Sequence, residues 1–382
     1  MTGLYIHIPF CESRCIYCGF YSTTSLSLRN DYIDALCKEM EMRKNSSNPC
    51  GEEKLSTIYL GGGTPSQLTG EQLIQLFNGI EKTYGKICAQ EKPIEITMEC
   101  NPDDVTEEFC HILRQLPINR ISMGAQTFDN SRLRFLHRRH NAQEVTNAIE
   151  LLRNIGIKNI SIDLMFGFPN ETLADWQSDI QQAIQLGVEH ISAYSLMYEE
   201  GTSLYKLREK GICKEIDEEL SRKMYDTLID QLTNAGYKQY EISNFARPGY
   251  QSQHNSSYWH EVPYIGIGAA AHSFQGNTRS WNIADIKQYI KSIQQGNLPS
   301  ESEYLDIDTK YNDLITTALR TSDGIDLAKM KQEYGIRLFH QLLKDAEKEI
   351  ARGLMKIEKG HLSLTREGLY ISDDIMSNFM IV

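Results

Sequence analysis

PFCESRCIYCGF, Pro9–Phe20, decides how this chain is read, because it sets Cys11, Cys15 and Cys18 in one short loop. The spacing Cys-x3-Cys-x2-Cys is too tight for a disulfide framework. It supplies three thiolates, one fewer than a closed iron–sulfur or zinc site takes. Three ligands on a [4Fe-4S] cluster leave one iron open to a further ligand. The other readings are a zinc site that borrows a fourth donor such as His7, or three unrelated core thiols.

Composition narrows the classes. A chain of 382 residues can bury a large core and has room for a main domain and a smaller one. Hydrophobic content of 41% and charged content of 24% are ordinary for a globular protein. Outside the loop, Cys37, Cys50, Cys88, Cys100, Cys110 and Cys213 are scattered, as in a reduced cytoplasmic protein. The start of the chain shows no basic region leading into a long apolar run, so no signal peptide is expected. No apolar stretch reaches membrane-spanning length. A formal net charge of −12 argues against a nucleic-acid partner.

Outward from the cysteine loop the chain alternates strands and helices. Strand-like runs are expected at Leu4–Ile8, Thr57–Leu60, Ile94–Glu99, Arg120–Met123, Ile160–Met165 and His190–Leu196. Ile33, Leu36, Cys37 and Met40 share a helical face, as do Leu73, Leu76, Phe77 and Ile80, the latter opened by Thr69 and Gln72 at capping-box spacing. Thr172 and Asp175 open another helix. Leu220, Met224, Leu228 and Leu232 mark one more, with Gly236 as its stop. The alternation implies parallel pairing through right-handed crossovers, in an open Rossmann-like sheet or a partial barrel.

The unusual polar residues fall at or near the C-terminal ends of these strands, the face on which α/β barrels build their sites. The cysteines follow the first strand, and Gly61, Gly62, Gly63 and Thr64 follow the second. Glu99 ends the third in MECNPD, and Gln126 follows the fourth in SMGAQTFD. Asp163 lies in the fifth, and Met197 follows the sixth. Taken alone, a glycine run only permits a tight turn, and Glu99 and Asp163 could be strand-end carboxylates bonded to amides. Gln126 and Arg138 could be surface residues.

YIHIPFC, GGGTPS, ECNP, GAQTFD, LHRRHN and DLMFGFP occur in that order. Together with the cysteine loop they resemble the radical S-adenosyl-L-methionine (SAM) superfamily and, within it, the oxygen-independent coproporphyrinogen III oxidase group. The resemblance favours a radical SAM partial (β/α)6 barrel with a smaller, mainly helical C-terminal domain. It implies that Cys11, Cys15 and Cys18 hold a [4Fe-4S] cluster whose open iron is chelated by SAM. It also implies SAM contacts at Tyr5, Tyr17, Gly62, Gly63, Thr64, Glu99, Gln126, Arg138, Asp163 and Met197. Arg138 would suit a bidentate grip on a carboxylate.

Three features separate the branches of that group. The oxidases resemble Cys-x3-Cys-x2-Cys-x-Cys and carry an N-terminal extension; here Phe20 stands in the last cysteine's place and ten residues precede Cys11. HNSSYW, His254–Trp259, is similar to the His-Asn-x-x-Tyr-Trp signature of the HemW-like haem-chaperone branch. Imidazole ligates haem iron and aromatics offer flat apolar surface, so His254 is the expected haem ligand. His272 in GIGAAAHSF and His7 are rivals, and a packing role for the motif is the alternative. The resemblance implies a haem chaperone that delivers its cargo to apoproteins, of the respiratory chain above all, with transient contact at a membrane surface. An oxygen-independent coproporphyrinogen III oxidase is the second reading, and a tRNA-modifying enzyme is disfavoured by charge. Whether the chain forms a homodimer is open.

The expected organisation is a radical SAM core over 1–240, a barrel-extending segment over 241–300 with HNSSYW and a linker around 294–303, and a C-terminal domain over 301–382. The last should hold helices at Asn312–Arg320, Leu327–Tyr334 and Leu338–Arg352, then a hairpin over Leu354–Leu364 turning at Lys359–Gly360, and a final helix after Thr365. Its 11 basic and 15 acidic residues make a cover over the barrel a better expectation than a DNA-binding winged helix.

Overall fold

The computed structural model describes residues 2–47, 54–87 and 93–381; Cys50 and Cys88 lie outside the described residues. Six parallel strands form its centre: β1 (Thr2–Ile8), β2 (Leu55–Gly62), β3 (Glu95–Cys100), β4 (Arg120–Gln126), β5 (Asn159–Phe166) and β6 (His190–Ser195). They pair in sequence order, each with the next, as successive right-handed crossovers require. Their runs are almost continuously buried because helices cover the outer face while the inner face looks onto a cavity.

Local chemistry sets the helix limits. Thr69 and Gln72 form a reciprocal capping box at the start of Gly70–Tyr84, whose Leu73, Leu76, Phe77 and Ile80 are buried. Thr172 and Asp175 do the same for Leu173–Leu186. Its Trp176 donates from Nε1 to the carbonyl of Met224, tying that helix to Glu218–Asn234. The latter stops where Gly236 takes φ 87°, a conformation glycine adopts without a Cβ clash.

Among the described residues the sheet does not close. It continues past β6 into the antiparallel β8 (Asn244–Ala246) and β7 (Lys238–Gln239). Past β1 it continues into the parallel β9 (Tyr264–Ile267), then the antiparallel β10 (His272–Gln275), β11 (Thr278–Asn282) and β12 (Ser300–Tyr304). β1 and β6 are not paired with each other, yet residues from both line one cavity, so the six strands curl into a partial barrel. The stretch expected as a linker around 294–303 differs from that expectation: Ser300–Tyr304 is the sheet's edge strand, held in register by β11. Its side chains are all exposed, so no apolar alternation marks it as a strand.

The C-terminal region has its own hydrophobic core, built from Tyr311, Ile315, Leu338, Leu342, Leu362 and Phe379 among others. Helices Ile307–Ala318 and Leu327–Ala351 pack with a small sheet of β13 (Ile325–Asp326), β14 (Met355–Glu358) and β15 (His361–Leu364). Gly335, at φ 81°, divides the long helix into the two segments expected from sequence. Lys359 and Gly360, both at positive φ, turn the hairpin. Ile242 donates to the carbonyl of Arg320, and Arg366 pairs with Asp226 and Asp230, fixing this region against the main sheet.

Candidate functional site

The cysteine loop leaves β1 and is pinned at several points. Phe10 bridges to Thr23, and Cys11 N–H donates to the Thr23 carbonyl at 3.0 Å. Ile16 N–H donates to Leu136 and accepts, through its carbonyl, from Leu204 N–H. The glycine run fixes the other side. Gly63 N–H donates to Ile8 and Thr64 N–H to Phe10, each at 2.8 Å. A Cβ on Gly63 would stand 2.7 Å from the Pro9 carbonyl carbon, and one on Gly62, at φ 115°, would strike the His7 ring. The glycines are therefore needed to bring the end of β2 against the root of the cysteine loop.

All three thiols line one cavity of about 910 Å3, within the range of ligand-binding clefts. Thr64 Oγ1 donates to Cys11 Sγ at 3.5 Å, and Arg138 Nη1 to Cys15 Sγ at 3.5 Å. Burial raises the Cys11 and Cys18 thiols above their ordinary range. Donors for one zinc ion must gather about 2.0–2.3 Å from a single point. Among the described residues no three His, Cys, Asp or Glu side chains do so. His7, the donor that a zinc reading needs, has both ring nitrogens engaged, with Tyr5 Oη at 2.9 Å and the Tyr21 carbonyl at 3.1 Å. Three thiols on the wall of one cavity could each bind a different iron of a cluster.

The structure brings the strand-end residues to the same cavity. Tyr5, Tyr17, Gly62, Gly63 and Thr64 stand on the side of the cysteine loop. Glu99 accepts from Tyr59 Oη at 2.7 Å and from Gly62 N–H at 3.1 Å. Burial pushes its carboxyl up to about 7. Asp163 is likewise raised by burial, with Ser192 opposing. Gln126 sits at φ 66° where the register between β4 and β5 slips, which turns its side chain towards the cavity. Arg138 donates to Asn101 Oδ1 at 2.7 Å and to the Gly124 carbonyl at 2.8 Å, so the guanidinium is oriented before any ligand arrives. Met197 stands at the rim, 59% exposed.

Several wall residues were not singled out from sequence. Tyr59 holds Glu99, Asn101 holds Arg138, and Ser192 and Tyr194 line the wall from β6. Arg120 is 1% exposed, with Nε and Nη1 lacking partners among the described residues. Its signal was present, since an arginine opens an otherwise apolar strand on the same alternate face as Ser122 and Gly124.

His254, the expected haem ligand, is held tightly within the protein. The residue lines the cavity wall but is only 1% exposed. Its Nδ1 shares a hydrogen bond with Thr57 Oγ1 at 2.8 Å, its Nε2 one with Tyr258 Oη at 2.9 Å, and its ring stacks on Tyr59. Burial lowers its pKa to about 3, so the imidazole is neutral. Both nitrogens are engaged within the protein, and the ring braces β2 against the helix Gln253–Trp259.

Beside this cavity lies a second, of about 680 Å3, lined by residues of the cysteine loop, of β9–β11 and of the C-terminal region. Tyr5, Gly19, Phe20, Tyr258 and Trp259 belong to the walls of both. Phe20, 72% exposed, stands between them.

The model of the Radical SAM superfamily matches residues 5–183, and that of the HemN C-terminal domain matches residues 305–371. The chain is 36% identical over 391 residues to the Heme chaperone HemW of Bacillus subtilis, covering 100% of this chain and 99% of that one. It is 31% identical over 382 residues to the Heme chaperone HemW of Lactococcus lactis, covering 100% and 97%. Among solved structures it is similar to coproporphyrinogen III oxidase (HemN) from Escherichia coli, a radical SAM enzyme, with a TM-score of 0.84 and 22% identity over 99% of this chain and 89% of that one. At that identity the likeness is one of fold. Identity sustained along the whole length of its relatives, over a cavity that gathers the cysteine loop and the strand-end residues, establishes that the chain belongs to the HemW family of the radical SAM superfamily.

Proposed function

We propose that this protein is a cytoplasmic haem chaperone that carries a [4Fe-4S] cluster on Cys11, Cys15 and Cys18, binds SAM across the strand ends, and passes haem to acceptor apoproteins. The observation that carries the reading is the pair of adjoining cavities, one lined by the three thiols and the strand-end polar residues, the other by aromatic rings. The HemW relatives are named as haem chaperones, which supports haem as the cargo. The described cysteines form no disulfide, which suits a reducing compartment. No described helix is long and apolar enough to cross a membrane, so respiratory-chain acceptors would be met at the membrane surface.

The roles of the side chains follow from their positions. Arg138, fixed by Asn101 and Gly124, presents its guanidinium beside Cys15 and would grip a carboxylate. Glu99 and Asp163 would accept from the amine or ribose hydroxyls of the ligand, both becoming fully ionised as they gain donors. Gly62 and Gly63 keep the backbone bare at the loop's root. When bound, cluster and SAM would together supply one-electron reductive cleavage of the sulfonium. The polar side chains of the wall would orient the ligand.

The test is to incubate the reconstituted protein with haem and, separately, with coproporphyrinogen III, SAM and reductant. A Soret shift in the first and no protoporphyrinogen in the second is expected, in line with Phe20 where the oxidase pattern has a cysteine. Repeated turnover of coproporphyrinogen III would replace the chaperone reading with the oxidase one.

A further inference from the structure

Three histidines stand near the aromatic cavity, and their environments differ sharply. His7 and His254 are 6% and 1% exposed, and both nitrogens of each ring are engaged in hydrogen bonds. His272, on β10, is exposed and lines the outer cavity. Among the described residues its ring makes no hydrogen bond; it faces Trp281 across the strand pair, with ring centroids 6.1 Å apart. Partial enclosure of the ring by the cavity wall and the neighbouring Arg279 lower its pKa against the opposing Glu303, which keeps a nitrogen lone pair available for a metal.

The rest of the outer cavity has the composition of a porphyrin site. Phe20, Tyr258, Trp259, Tyr264 and Phe274 give it flat apolar walls. About 680 Å3 lies inside the usual span of roughly 300–1,000 Å3 for cofactor and ligand clefts. Charge is arranged unevenly. Arg279 is neutralised by Asp313 and Glu303, and Glu261 accepts from Tyr334 Oη. Lys310 has no carboxylate within ion-pair distance among the described residues, and its Nζ bonds only the amide oxygen of Asn277, at 3.1 Å. The indole N–H of Trp259, a residue common to both cavities, also lacks an acceptor.

We propose that the outer cavity is the haem site, with His272 as the axial ligand to iron and Lys310 as the partner of a propionate. This rests on the haem-carrier reading and deepens it, because it moves the ligand from the HNSSYW histidine to a residue outside that motif. Tyr258 and Trp259 remain haem contacts as walls, and His254 acts as a positioning residue through its bond to Tyr258. The cargo then lies against Phe20 and Gly19, on the far side of the wall from the cluster cysteines.

The experiment is an anaerobic haem titration of the reconstituted full chain, read as the Soret difference spectrum so that cluster absorbance cancels. Wild type should give the spectrum of a histidine-ligated haem. His272→Ala and His272→Gln should each weaken binding at least tenfold and lose that spectrum while keeping their iron and sulfide content, and added imidazole should restore the spectrum of His272→Ala. Lys310→Ala should weaken haem several-fold but leave haem dimethyl ester unchanged. Wild-type affinity and spectrum in both His272 variants would overturn the assignment, all the more if His254→Ala alone lost the signal. Failure of the wild-type protein to shift the Soret band at all would instead refute the haem-carrier reading itself.

Discussion

Replacing Glu99 by glutamine separates the carboxylate's cost to the fold from its use in the site. Burial pushes this carboxyl from 4.5 up to about 7, even with Tyr59 Oη and Gly62 N–H donating to it. The folded chain thus binds a proton that the unfolded chain has already released. The stability from this group is fully present below about 4.5 and is lost as the pH rises through about 7. The whole displacement corresponds to roughly 3 kcal/mol. Because the side chain borders a solvent-reached cavity, screening reduces this to about 2 kcal/mol. Glutamine cannot ionise, but its amide group cannot satisfy both donors, at a cost of about 1 kcal/mol. Glu99→Gln should therefore be about 1 kcal/mol more stable than wild type near pH 8.5 and about equal near pH 6, measured by anaerobic urea unfolding without SAM. Glu171 is also pushed up to about 7 and Asp103 to about 6, so the difference between variant and wild type, not the wild-type profile, isolates Glu99. The same variant should bind SAM about tenfold to a hundredfold more weakly by calorimetry, the scale of a charge-assisted hydrogen bond. A variant that parallels wild type at both pH values would refute the ionisation argument. Unchanged SAM affinity would make Glu99 a structural carboxylate.

Cys11→Ala, Cys15→Ala or Cys18→Ala should leave iron well below about four per chain after reconstitution, whereas Cys37→Ala and Cys213→Ala should retain it; full iron in any of the first three sinks the ligand set. Gly63→Ala should cost about 1–3 kcal/mol and destabilise the cluster, because its Cβ meets the backbone of Ile8, Pro9 and Phe10; a fully loaded, equally stable variant would show that the loop can shift freely. His254→Ala strands Thr57 and Tyr258 and removes a stacked ring, so unfolding should come about 2–4 kcal/mol sooner, and a loss below about 0.5 kcal/mol would refute the bracing role.

Much of the fold was legible because its signals are local. A capping box such as Thr69–Gln72 needs only residues three apart, and Lys359–Gly360 turns a hairpin from two adjacent positive φ angles. The edge strand Ser300–Tyr304 was missed because it is exposed throughout, so only its register with Thr278–Asn282 makes it a strand. Arg120 was missed for a related reason. Its place at the start of an apolar run looked like a boundary, although it shares the alternate face of Ser122 and Gly124, and the curl of the sheet sets that face beside Glu99 and Asp163.

By itself the sequence determined the cysteine loop, the strand–helix alternation and the clustering of polar residues at strand ends, since these depend on spacings of a few residues and on the period of a strand. Tertiary structure alone decided which histidine is free. The HNSSYW motif singles out His254 by resemblance, but nothing near His254 or His272 in the chain shows whether its ring is engaged. The distinction comes from Thr57, 197 residues from His254, which reaches its ring only because β2 passes beneath the helix that carries it. β10, by contrast, lies out along the sheet extension, where its histidine opens onto the outer cavity. A hydrogen bond across that separation is satisfied by the assembled sheet, so it leaves no mark on local sequence.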